Sequence, residues 1–471
     1  MLSYFKANDP YRLLGAFILL LIIRVPILVS GVPLIGPELK WLLIGDRLGD
    51  GGLVMYKDLW DYTGPLAATV YKSVDFVFGP SRLVHQLLST LLVIFQAAIF
   101  NRLMIKNKAY PSPSYVPALV YVIGMNMSYD FLTLSPVLMS MTFVLLALNN
   151  LFKRMDNQTQ DELFVFTGIF LGIAVMFFLP MIMYVVVTFL ALILYTGSIF
   201  RRIMLMIYGL LLVFFLSGLY YFWHDGFLVY NHHFFKSLWV VDATWWMDGQ
   251  GLGLALLLPF AILFFSIYRT YTQGKYINFQ SKIQSVMLMF LLSGFLAFFL
   301  MKEKVVYQMI YLVPVFAFFV SHHLLVVKNW ILAEATTALV LMLVLMNLLF
   351  PFNNWLYINE LVRQDQLVVK ESPYSALVND KRVLVIGDDL DHYQGASLAT
   401  PYLDWQLSSL LLDHLNYFDN NEQVYLNFKK DMPEVIIDQK EVVPTLFERM
   451  PTIGAHYRAH PSFKGVYLRR E

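Results

Sequence analysis

The residues able to do chemistry gather between Gly36 and Leu66, where Glu38, Lys40, Asp46, Arg47, Asp50, Asp58 and Asp61 are interleaved with Tyr56, Trp60 and Tyr62. A carboxylate at the edge of a membrane can take a proton from a hydroxyl, and a cation beside it can hold a phosphate. Together they suit transfer from a lipid-linked substrate. Glu38, Asp58 and Asp61 are the candidate catalytic bases, with Glu38 foremost because a Gly36-Pro37 turn would present it to a cavity. Lys40, Lys302 and Lys304 are the candidate phosphate holders, with Arg24 in reserve. Tyr56, Tyr307 and Asp130 complete the candidate substrate-binding set. Plainer readings stand beside these: Asp58 and Asp61 bonding their own loop backbone, Lys302 and Lys304 balanced by Glu303 in a turn, and the whole stretch a solvated loop. A carboxylate-bound divalent cation is compatible with these residues, but no spacing demands one.

These side chains hang on apolar segments. Of 471 residues, 58% are hydrophobic and only 14% charged, and the mean hydropathy of +0.60 exceeds what a soluble core needs. This is the composition of an α-helical polytopic membrane protein. A net charge of +1 leaves no surplus for a polyanion, so no nucleic-acid partner is expected. The sequence contains no cysteine, which excludes disulfides, thiolate metal sites and cysteine nucleophiles. At roughly 20 apolar residues per crossing, about eleven spans are expected between Leu13 and Phe350, one long apolar run being divided at Pro180. The first apolar segment reads as a span rather than a removable signal peptide. Arg24 within it must either snorkel or face a polar cavity.

Loop charge orients the chain. Lys6, Arg12, Arg102, Lys106, Lys108, Lys153, Arg154, Arg201, Arg202, Arg269, Lys275, Lys282 and Lys328 fall on one side, which is cytoplasmic by the positive-inside rule. The opposite side then receives the large first loop (residues 33–81), the turn near Asp130, an aromatic loop after Trp223, the Lys302–Lys304 turn and the tail. The expected location is the cytoplasmic (inner) membrane, multi-pass, with the N-terminus inside and the tail periplasmic or extracellular. In the aromatic loop, Trp239, Trp245 and Trp246 suggest a short interfacial helix, and His232 and His233 read as packing residues rather than ligands.

The expected domains are a membrane domain over residues 1–352 and a small α/β domain over 353–471. In the tail, Val383 to Ile386, Val424 to Phe428, Glu434 to Ile437 and Gly465 to Arg469 read as strands. Helices are expected over Pro401 to Leu415 and Val442 to Arg449. The VLVIGDD segment lacks a glycine-rich nucleotide fingerprint, so it reads as structural.

The order of elements resembles the GT-C membrane glycosyltransferases, the superfamily of the protein O-mannosyltransferases and the lipid A aminoarabinose transferases. Three stretches carry the resemblance: the Glu38 loop with YKDLWDYTGPLAATVY and FGPSRLVHQL, the MKEKVVYQMIYLVPVFAFFVSHHL span, and PEVIIDQKEVVPTLFERM in the tail. It implies a polyprenyl-phosphate sugar donor, contact with membrane lipid, and an acid of the first outer loop as base. It puts Glu38 on the glutamate of the family's Asp-Glu pair and Lys40 on a basic position that can meet the donor phosphate. Departures are Pro37 in place of the pair's aspartate, Thr63 where the lipid A branch has lysine, and Pro136 near a further carboxylate position, for which Asp130 could substitute. The sugar and the acceptor, whether glycan, lipid or protein, are left open. The competing reading is a non-catalytic subunit or scaffold of a cell-envelope assembly.

Overall fold

Long apolar runs without period-two alternation form helices, which satisfy their own backbone groups as a bilayer requires. The computed structural model describes residues 1–31, 33–49, 51–155, 161–196, 200–236, 238, 243–274, 276–349 and 366–470. Among them, eight helices are long and apolar enough to cross a membrane: Arg12–Ser30, Arg82–Lys106, Pro136–Met155, Phe200–Trp223, Gly249–Gln273, Asn278–Leu300, Val306–Val326 and Trp330–Leu349. The other apolar segments make shorter helices, Val116–Gly124, Glu162–Phe177 and Ile182–Thr196, so length alone supports eight of the eleven expected spans. The chain divides into two units. One comprises Met1–Val32, Leu83–Ser217 and Leu238–Gln366; the other comprises Pro33–Arg82, Gly218–Ser237 and Leu367–Glu471.

In the first unit the apolar run breaks at Pro180, where Leu179–Met181 forms a 3-10 turn between two helices because proline has no N–H to donate. Glu162–Phe177 and Phe200–Trp223 meet backbone to backbone. A Cβ on Gly168 would lie 2.0 Å from the Met206 carbonyl oxygen, and one on Gly209 would lie 2.2 Å from that of Val165, so only glycine fits. Arg24 neither snorkels nor faces solvent: it is 1% exposed. Its Nε donates to Asn126 Oδ1 (3.0 Å), Nη1 to Ser89 and Thr90, and Nη2 to the carbonyls of Met125 and Phe131. Snorkelling fails because these acceptors lie inside the helix packing, within reach of a planar fork.

Two short strands, β1 (Thr244–Trp245) and β2 (Glu303–Lys304), pair in parallel. Trp245 is therefore extended rather than on the expected interfacial helix, because Asp248 caps the following helix by accepting from Gly251 N (2.9 Å) and fixes its start beyond the tryptophans. The helix in this stretch is Phe227–Lys236, and Trp239 lies outside the described residues.

In the second unit, Gly36–Gly49 is a 14-residue helix and not a connecting loop. Pro37 stands in its first turn, where a missing N–H costs nothing, and Leu39, Leu43, Ile44 and Leu48 are buried at helical spacing. The charged residues had obscured that spacing. Pro65–Phe78 packs against it, with Trp41 stacked on Tyr71 at 6.0 Å. The same first stretch pairs with the start of the tail, Gly36 N donating to Leu367 O and Val369 N to Leu34 O.

The tail forms a five-stranded sheet from β3 (Arg382–Ile386), β4 (Ser397–Leu398), β5 (Val435–Asp438), β6 (Tyr457–Ala459) and β7 (Val466–Arg469), in the order β4-β3-β5-β7-β6. β3 is parallel to β4 and β5, while β7 is antiparallel to β5 and β6. Gly465 precedes β7 at φ +78°, where a Cβ would lie 2.6 Å from Asp438 O. Val424 to Phe428 lies within the helix Phe418–Lys430, not in a strand. Val424 and Phe428, four apart, are its buried residues, so the short apolar spacing served a helix face. The core joins Leu384, Ile386, Leu407, Phe428, Ile436 and Leu446 to Trp60 from the first stretch. Residues 350–365, where the expected domain boundary falls, lie outside the described residues.

Candidate active site

Within the second unit, Glu38 sits in the first turn of Gly36–Gly49 and is 1% exposed. Arg82 Nε lies 2.8 Å from Glu38 Oε2, and Arg82 Nη2 donates to Pro33 O at 2.8 Å. Two residues further on, Lys40 Nζ lies 3.2 Å from Asp61 Oδ2, and Asp61 is fully enclosed. Asp61 Oδ1 also accepts from Thr63 N (2.7 Å) and from the Thr63 hydroxyl. Asp58 accepts from Val54 N (2.9 Å) and pairs with Lys430 at 2.6 Å. Lys40 and Asp61 are thus brought together. Asp58 and Asp61 both hold their own backbone, and each candidate acid has a cation as partner.

Tyr56 packs as a core residue: it is 0% exposed, left-handed at φ +69°, donates to Thr63 O at 2.7 Å, and stands among Tyr221, Tyr230 and Phe234. It shapes the turn that carries Asp61. His233 is edge-on to Trp60 at 5.1 Å, and burial holds its ring down to about 3, so it stays neutral and packs.

In the first unit, Asp130 lies in the 3-10 turn Tyr129–Leu132 and accepts from Tyr307 N at 2.5 Å. Burial pushes its carboxyl up to about 6, against the opposing hydrogen bonds from Ser128 and Tyr307. Tyr307 OH donates to Glu303 Oε2 at 2.7 Å. Lys304 caps the C-terminus of Asn278–Leu300, donating to the carbonyls of Phe298 and Met301, and burial brings its ammonium down to about 8. Lys302 is half-buried and its carbonyl accepts from Thr244 N. Phe131 and Val306, sequence neighbours of Asp130 and Tyr307, line a small apolar crevice. Asn347 is in its wall and donates to Met127 O.

Arg82, Lys430 and Asp431 were missed as partners. Arg82 lies in the FGPSR segment after a Gly-Pro turn, which was the available signal; Lys430 and Asp431 carry no local signal for their pairing with Asp58 and Arg47, which lie hundreds of residues away. Among the described residues, no three acidic or histidine side chains gather as a metal site, so no ligands are assigned to the divalent cation.

No protein-family model and no curated protein matches the sequence. Solved structures do. The apo structure of ArnT from Cupriavidus metallidurans is similar over 92% of this chain and 94% of its own, at 12% identity and a TM-score of 0.56. The same protein bound to undecaprenyl phosphate aligns over 70% of this chain and 62% of that one, at 12% identity and a TM-score of 0.47. The Archaeoglobus fulgidus oligosaccharyltransferase with zinc and sulfate aligns over 97% and 73%, at 13% identity and a TM-score of 0.45. The fold of this chain is thus similar to that of apo ArnT, a many-helix membrane architecture with a small sheet in the tail.

Proposed function

We infer that the protein is an integral membrane glycosyltransferase that moves a sugar from a polyprenyl-phosphate donor to a hydroxyl acceptor at the outer face of the membrane. The observation that carries this reading is the Glu38–Arg82 pair: a buried carboxylate with a guanidinium at 2.8 Å, standing where the GT-C resemblance puts the base. The chemistry needs no nucleotide, because the phosphate is itself the leaving group. Glu38 takes the acceptor's proton, while Lys40 and Arg82 offset charge on the phosphate. Asp61 keeps Lys40 oriented.

One observation favours a second reading, a non-catalytic envelope subunit: Glu38, Asp58 and Asp61 each pair with a cation, as a structural acid does. Purified protein offered a panel of polyprenyl-phosphate sugars separates the two. Transfer or donor hydrolysis with any member supports the enzyme, whereas inertness toward the whole panel supports the subunit.

A further inference from the structure

A span that faces lipid keeps apolar side chains outward, and the last turns of Phe200–Trp223 do so, with Leu219, Tyr220, Phe222 and Trp223 all exposed. The apolar surface does not stop where the span stops. Asp225, left-handed at φ +53°, turns the chain into the helix Phe227–Lys236, where Tyr230, His233 and Phe234 are buried. Leu228, on the opposite side of that helix, is 80% exposed, and Phe227 is exposed beside it. Asn231 and His232 are the exposed polar groups of the same helix, a mixture that suits headgroup depth better than the hydrocarbon interior.

Pro65–Phe78 ends in the same way. Ala67, Ala68, Tyr71 and Val74 are its buried side, whereas Phe76, Val77 and Phe78 are exposed one after another. Three consecutive residues point to three sides of a helix, so this end as a whole is uncovered. Only Gly79-Pro80-Ser81 separates Phe78 from the span that starts at Arg82, a reach of at most roughly 14 Å. Along that span Leu83, Leu87, Leu91 and Phe95 make an exposed stripe at helical spacing.

We propose that these two helix ends are a bilayer-docking surface: Phe227 and Leu228, and Phe76 to Phe78, dip into the boundary between lipid headgroups and acyl chains. The partner is the phospholipid surface itself. Continuity argues for it, since each patch adjoins a span whose exposed side chains are already apolar, and burying such residues in that boundary is favourable. The acid-bearing stretch is fastened to this surface. Lys57 Nζ donates to His224 O at 2.8 Å, and Tyr56 stands against Tyr221 and Tyr230. The depth of the docked surface therefore sets the depth of Asp58 and Asp61, which follow Tyr56 in the chain. This docking is independent of the glycosyltransferase reading.

The sequence contains no cysteine, so a single introduced one can carry a spin label without further change. Leu228→Cys and Val77→Cys, labelled in the full chain in phospholipid nanodiscs, are compared with Phe215→Cys within the span Phe200–Trp223 and Gln423→Cys on the exposed side of Phe418–Lys430. Collision with oxygen and with a water-soluble nickel chelate reads depth. Leu228→Cys and Val77→Cys should be open to oxygen and shielded from nickel, roughly 5–10 Å into the boundary and between the two reference positions. Nickel access equal to that of Gln423→Cys at either position overturns the docking surface. Shielding from both reagents means that protein covers the patch, which overturns lipid as the partner. Should a label disturb folding, Leu228→Trp and Val77→Trp replace it: the emission each adds to wild type should be quenched by lipid brominated high on its acyl chains, and unquenched added emission overturns the proposal.

Discussion

Arg47 and Asp431 form a buried ion pair at 2.6 Å, each side chain 6% exposed, although they are nearly the whole chain apart in sequence. Asp431 also pairs with Arg382 at the start of β3 and accepts from Thr400 N at 3.0 Å. One carboxylate thus ties the Gly36–Gly49 helix to the tail sheet. Asp431→Ala should cost about 3–5 kcal/mol, because it leaves Arg47 buried without its counter-charge. Replacing both, Arg47→Met with Asp431→Leu, should recover much of that loss. Thermal unfolding in detergent reads both variants, and a wild-type midpoint for Asp431→Ala would show that the pair adds nothing.

Asp130 makes stability depend on pH in a direction opposite to that of an ordinary paired carboxylate. Its folded-state value of about 6 lies above the unfolded value of 3.8, so the native protein holds this proton more tightly than the unfolded chain does. The sign follows: stability from this group is greatest below about 4, falls as pH rises toward 6, and levels above it, a change of about 3 kcal/mol. Asp130→Asn keeps an acceptor for Tyr307 N and carries no charge. The variant should therefore gain stability over wild type as pH rises from 4 to 7. A difference between the two that stays constant with pH would refute this.

Arg24 offers a sharper contrast between charge and shape. Its partners are all neutral acceptors, from the hydroxyls of Ser89 and Thr90 to the carbonyls of Met125 and Phe131. Lysine keeps the charge but cannot reach both sides of the cage, so Arg24→Lys should lose about 3 kcal/mol or more, with several buried acceptors left unmet. Near-wild-type unfolding of Arg24→Lys would mean that charge, and not the fork, is what the site uses.

The membrane class and the break at Pro180 were legible because hydropathy and proline report directly on burial and on backbone donors. The tail strands at Arg382–Ile386 and Val435–Asp438 were legible from the apolar runs Val383 to Ile386 and Val435 to Ile437, which central strands buried on both faces require. What the sequence hid was long-range. Trp60 lies in the tail's core, its N donating to Pro401 O, and nothing near Trp60 announces a partner so far along the chain. Glu38 could be singled out from its neighbours, but Arg82, which covers it, became visible only when the two helices' starts were brought together. Val424 and Phe428 misled because two apolar residues four apart in a short run fit a strand's composition as well as a helix face.

The proposed base is Glu38. The most direct measurement is sugar transfer by Glu38→Gln with whichever polyprenyl-phosphate donor the wild-type protein accepts. Glutamine keeps the size of the side chain and an acceptor for Arg82 while removing the group that takes the proton. The variant should fold and bind donor, and lose transfer by a factor of about 100 to 10,000. Transfer at the wild-type rate would contradict the account and remove Glu38 as the base.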